Sequence, residues 1–156
     1  MTKDQNKKTL TLWFCFLAVA VFALVFRIGL PFMVLSTFAY LTLTTGLILR
    51  KTKLIHYKLM GLGIALDVGV GLVLEVQRHA IHTALEFSLG PLQQGHIFAS
   101  TVATVMFIPI VILGVRRLKG SKSERFKFWH IRLGLTAFAF RTIGFILMFS
   151  VVGRNH

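Results

Sequence analysis

Long apolar runs separated by short basic connections dominate this chain and limit what it can fold into. A helix needs roughly 20 predominantly apolar residues to cross ~30 Å of hydrocarbon. Five runs approach or exceed that requirement, at residues 10–26, 31–49, 54–76, 96–115 and 128–152. A bilayer offers no water to the backbone, so segments of this kind predict helices. A soluble all-α domain of 156 residues would have to bury such helices on every side, and so small a domain cannot do that. Hydrophobic residues make up 55% of the chain and charged residues 15%, with a mean hydropathy of +0.74, which excludes an ordinary soluble composition. The sequence therefore predicts one all-α membrane domain, a polytopic transmembrane helical bundle of about five spans.

The formal charge of +13 would suggest nucleic acid in a soluble protein. Here the basic residues fall in the gaps between apolar runs, where they act as topology signals and meet lipid headgroups, so a nucleic-acid role is rejected. Lys3, Lys7 and Lys8 precede the first run, Arg50, Lys51 and Lys53 follow the second, and Arg116, Arg117, Lys119, Lys122, Arg125 and Lys127 follow the fourth. With five spans all three groups lie on one side, which the positive-inside rule makes cytoplasmic, with the N-terminus. That places the chain in a bacterial-type inner membrane. The N-terminal segment has the look of a signal peptide, but no convincing small-residue cleavage site follows, so it reads as a retained first span. The single Cys15 allows no intrachain disulfide and no thiolate metal cage.

Two charges fall deep inside the runs. Asp67 lies eleven residues after His56, and Arg141 lies eleven residues after His130. At ~1.5 Å per residue both sit about 16 Å past their histidines, near the midplane. A charge at that depth costs at least about 2.5–3.5 kcal/mol, so equal depth and opposite sign predict an ion pair joining the two spans. A contact with a cofactor, or a part in proton transfer, is the competing reading. The matched openings of the two spans, His56-Tyr-Lys-Leu and His130-Ile-Arg-Leu, also suggest a parallel internal repeat, against simple convergence on similar interfacial sequence.

The third span carries Gly63, Asp67, Gly71, Glu75 and His79 in one line, beside a second line of Gly61, Ala65 and Gly69. Small residues allow close approach of a helix or a flat cofactor. Glu75, His79 and His82 share a face if the helix extends that far, and His96 opens the next span on the same side; these four form a candidate metal set. His56 and His130 sit at the opposite side. Imidazoles on different helices can ligate a haem b, or a transition metal such as Cu, Zn or Fe. His56, His130, His96 and His79 are thus candidate cofactor ligands, while the plain alternative is that interfacial histidines are tolerated amphipathic residues. The spacing of a di-iron bundle is absent, as are a nucleophile signature, a phosphate-binding loop and a zinc-protease motif.

The stretch Lys53-Leu-Ile-His56-Tyr-Lys-Leu-Met60, the His79/His82 region, Gly95-His96 and Trp129-His130-Ile-Arg132 together resemble domain-of-unknown-function family 420. That family includes the CtaM-type proteins that assist maturation of haem–copper cytochrome oxidases. The resemblance spans about residues 53–149 and rests on scattered positions; Asp67 and Arg141 are departures from it. It implies a haem- or metal-handling accessory protein in cytochrome oxidase assembly, with an oxidase subunit as partner and His56, His96 and His130 as the closest matches. The logic of histidines at both faces is also similar to that of a dihaem membrane cytochrome of the b561 type. A structural membrane subunit without a cofactor is the third reading.

Overall fold

The computed structural model describes residues 31–78, 90–121 and 123–149. The first expected span, residues 10–26, lies outside them, as do His79 and His82. Among the described residues the secondary structure is helical, without strands: α1 (Pro31–Ile48), α2 (Lys53–Arg78), α3 (Pro91–Leu118) and α4 (Glu124–Met148). Helices α2, α3 and α4 are long and apolar enough to cross a membrane; α1 is apolar and shorter, at 18 residues. Large apolar side chains also point outward, among them Val76 (79% exposed), Phe98 (65%) and Ile146 (63%). Hydrocarbon suits such a surface and water does not. The chain is a helical membrane protein.

Local chemistry sets the helix ends. Pro31 stands at the first position of α1, where its missing N–H is no loss. The four threonines Thr37, Thr42, Thr44 and Thr45 each donate a hydroxyl to the carbonyl four residues back, which hides their polarity within α1. Gly90-Pro91, read in the sequence as a break, is instead the start of α3: Gly90 is the N-cap, Pro91 follows, and the Gly90 N–H donates to Gln93 Oε1 at 3.3 Å. The helix thus begins five residues ahead of the expected boundary at His96, and it runs unbroken through Pro109. At its other end Gly120 takes φ 93°, and the Gly120 and Ser121 N–H groups donate to the Arg117 and Arg116 carbonyls. That left-handed glycine ends the helix and turns the chain into α4.

The helices form two antiparallel hairpins, α1–α2 and α3–α4, packed extensively within themselves and thinly against each other. Gly63 explains the closeness of the first: a Cβ there would stand 2.7 Å from Leu43 Cγ. Gly144 does the same for the second, where a Cβ would stand 2.6 Å from Ser100 Oγ. Across the seam Met33 packs near Met148, Ser36 bonds Arg141, and Tyr40 bonds Thr142. Rising numbers on α1 meet falling numbers on α4, so the two run antiparallel and both interhelix turns lie at one end of the bundle. We call this the basic end. A core of Leu43, Phe107, Ile110 and Ala137, with Met60 and Ile64 against it, draws on all four helices.

Candidate functional site

The interior of the bundle carries polar groups at successive levels. At the centre Arg141 Nη2 contacts Asp67 Oδ1 at 2.5 Å, with the two side chains only 3% and 8% exposed. The same nitrogen donates to Ser36 Oγ at 2.8 Å. Three helices, α1, α2 and α4, therefore meet at one guanidinium. Among the described residues, Arg141 Nε is buried without a hydrogen-bond partner, as is Ser100 Oγ on α3. Beside the pair, Tyr40 stacks on Phe145 at 4.3 Å and its hydroxyl lies 3.1 Å from Thr142 Oγ1.

Toward the basic end lie His56 and His130, one on α2 and one on α4. His56 Nδ1 is 2.7 Å from the Gly46 carbonyl of α1, and His130 Nδ1 is 3.2 Å from the Ile110 carbonyl of α3. On the other side of the ion pair, His96 Nδ1 of α3 is 2.6 Å from the Gly144 carbonyl of α4. A carbonyl can only accept, so each Nδ1 carries the proton and donates it. The neutral ring then has its lone pair on Nε2. All three rings are thus fixed in tautomer and orientation by a neighbouring helix, which is the arrangement metal-bound histidines commonly show. At His56 the bond also has a purely structural use. The Arg50 N–H donates to Leu47 rather than to Gly46, so the imidazole caps a carbonyl left over at the end of α1.

Between the histidine level and the ion pair is a cavity of about 20 Å³. Met60 and Gly134, each four residues past its histidine, line it together with Leu43, Ile110 and Arg141. It has room for about one water. Its lining is apolar apart from the Arg141 guanidinium and includes none of the three histidines, so the cavity offers no donors to an ion. A haem between these rings requires the hairpins to part at their seam. Among the described residues no three His, Cys, Asp or Glu side chains converge on a point. Of the candidate metal set, Glu75 lies on α2 and His96 in the second turn of α3, while His79 and His82 fall outside the described residues.

The two small-residue lines on α2 do not divide by surroundings. Gly63 and Asp67 of the first line face the bundle, whereas among the described residues nothing stands where a side chain would go at Gly71 of the same line or at Gly61 and Gly69 of the second. Sequence reasoning missed Ser36, Tyr40 and the three carbonyl partners. Carbonyls leave no mark in a sequence, and Ser36 is one small hydroxyl among several in α1.

The fold and these levels define a class, a helical membrane protein with a buried ion pair and carbonyl-anchored histidines. No family model, curated protein or solved structure matches the chain.

Proposed function

We propose that this protein is a multi-pass membrane protein that handles a transition metal or haem through His56, His130 and His96, as an accessory in respiratory cytochrome oxidase assembly. The observation that supports it is the shared anchoring of the three rings, each donating Nδ1–H to a carbonyl and keeping Nε2 for a ligand. In this reading five spans, the first over residues 10–26, place the N-terminus and the basic turns on the cytoplasmic side of a bacterial inner membrane. The resemblance to family 420 supplies the oxidase subunit as partner. His79 or His82, with Glu75, supplies the further donors at the His96 end.

A dihaem cytochrome is the second reading, favoured by histidines on both sides of the ion pair.

The test is the visible spectrum of the purified full-length protein in mild detergent, oxidised and dithionite-reduced, with metal analysis of the same sample. Stoichiometric copper, zinc or iron in a colourless protein, lost in His56→Ala or His96→Ala, is expected. A reducible haem b spectrum lost in those variants makes the protein a cytochrome. A protein that stays colourless and metal-free after supplementation leaves the histidines as helix ties and the protein as a structural subunit.

A further inference from the structure

The basic end has a feature that metal or haem handling does not use. Eleven of the eighteen lysines and arginines lie in residues 50–58 and 116–132, against the single acid Glu124. That acid is already engaged, 3.0 Å from Lys127. Within this field two guanidiniums are held in place. Arg116, from the last turn of α3, has its Cζ 5.4 Å from the centre of the Phe126 ring on α4. Arg132, on α4, has its Cζ 4.4 Å from the centre of the Phe128 ring one turn earlier. Its Cα lies about 6 Å deeper than that of Phe128 at ~1.5 Å per residue, so the side chain reaches back toward the basic end, as interfacial arginines do.

These rings fix the guanidiniums without spending their N–H donors, because an aromatic face attracts the cation and accepts no strong hydrogen bond. Both arginines are exposed. Around them the surface is apolar: Phe128, Trp129 and Leu118 are each nearly half exposed, and the Trp129 ring meets Phe128 edge-on at 5.7 Å. A ligand for such a surface must present an anionic oxygen group joined directly to an apolar body. Nucleic acid and acidic peptides have the charge without the body. We propose that the α3–α4 turn is a binding site for anionic phospholipid, with Arg116 and Arg132 on the phosphate and Phe128 and Trp129 against the glycerol and upper acyl chains. Aromatic side chains at a membrane interface and basic clusters beside helix ends each favour this partner.

Trp129 provides the readout. The chain has two tryptophans, Trp13 and Trp129, so Trp13→Phe leaves one reporter at the site. This full-length protein is reconstituted in phosphatidylcholine vesicles with rising fractions of phosphatidylglycerol carrying brominated chains, which quench tryptophan on contact. The expected result is quenching by phosphatidylglycerol well ahead of equally brominated phosphatidylcholine. Arg116→Gln with Arg132→Gln is expected to reduce that preference roughly 30-fold, from about 1 kcal/mol per basic group. Lys51→Gln with Lys53→Gln, an equal loss of charge at the other turn, is expected to leave it within about twofold. Phe128→Leu, which keeps every charge, is expected to lower it about two- to fivefold, the value of an exposed cation–π contact. Equal losses in the two double variants would mean diffuse charge and overturn the site. So would the absence of any phosphatidylglycerol preference. Displacement of the lipid by soluble polyglutamate would reassign the surface to an acidic protein.

Discussion

At the scale of single residues, the Asp67–Arg141 pair carries the largest energies. Both side chains are almost fully enclosed, and the Arg141–Ser36 bond adds a third helix to the contact. Removing one charge strands the other in an enclosed site, where Arg141 would keep only the Ser36 hydroxyl among its described partners. Asp67→Asn or Arg141→Met alone is therefore expected to cost about 3–5 kcal/mol, while Asp67→Leu with Arg141→Leu recovers much of it. Thermal unfolding of the purified protein in one detergent, arranged as a double-substitution cycle, measures this. Single and double variants of equal stability would mean that the contact contributes nothing as a pair. Both residues were legible as exceptional in the sequence, since charge in an apolar run has few explanations and their offsets from His56 and His130 match. Ser36 was not legible. Its role comes from its height on α1 opposite Arg141, which depends on how the hairpins are set against each other.

At the scale of helices, the glycines of α2 separate packing from mere composition. Gly63 sits where α1 and α2 touch, with Leu43 Cγ at 2.7 Å and the Leu43 backbone nitrogen at 3.2 Å from a would-be Cβ. The nitrogen cannot move without moving α1. Gly63→Ala is expected to destabilise by about 1–3 kcal/mol. Gly61 and Gly69 meet no neighbour among the described residues, and alanine there is expected to be neutral or stabilising by up to about 1 kcal/mol. Unfolding midpoints of the three variants rank these sites, and a Gly63→Ala protein as stable as Gly61→Ala would contradict the close approach. A parallel case is Gly144→Ala, where a Cβ at 2.6 Å from Ser100 Oγ displaces that hydroxyl and fills the gap between α3 and α4. The His96–Gly144 bond crosses the same gap. That variant is expected to lose stability and, if His96 is a ligand, bound metal as well; the metal content of the purified variant reads the second effect. Hydropathy located α2, α3 and α4 well, because length and apolarity decide what can cross a bilayer. It placed the start of α3 too late, since the opening Gly90-Pro91-Leu-Gln93 cap is polar and reads as loop. It could not say which of the α2 glycines touch a neighbouring helix, because small residues suit either environment.

At the scale of the whole molecule, the two hairpins repeat one plan. In each, the second helix opens near a histidine whose Nδ1–H bonds a carbonyl of the first helix, and a charge follows eleven residues later. The hairpins run in the same direction, and the two charges meet between them. Equivalent positions facing each other are what a two-fold relation along the bundle axis produces. The repeat is imperfect: the accepting carbonyl lies ten residues before His56 but twenty before His130. If positions 67 and 141 are nonetheless equivalent, their charges are interchangeable. Asp67→Arg alone sets two guanidiniums together, and Arg141→Asp alone sets two carboxylates together, so both are expected to be worse than any neutral substitution. The double exchange restores opposite charges at the same depth. It also preserves the link to α1, because the Ser36 hydroxyl, which now accepts from the guanidinium, can donate to a carboxylate in its place. The exchanged protein is expected to unfold within a few degrees of the wild type, well above either single exchange. An exchanged protein as unstable as the single variants would mean that the surroundings of Arg141 are shaped for a guanidinium, and that the likeness of the hairpins stops at their histidines.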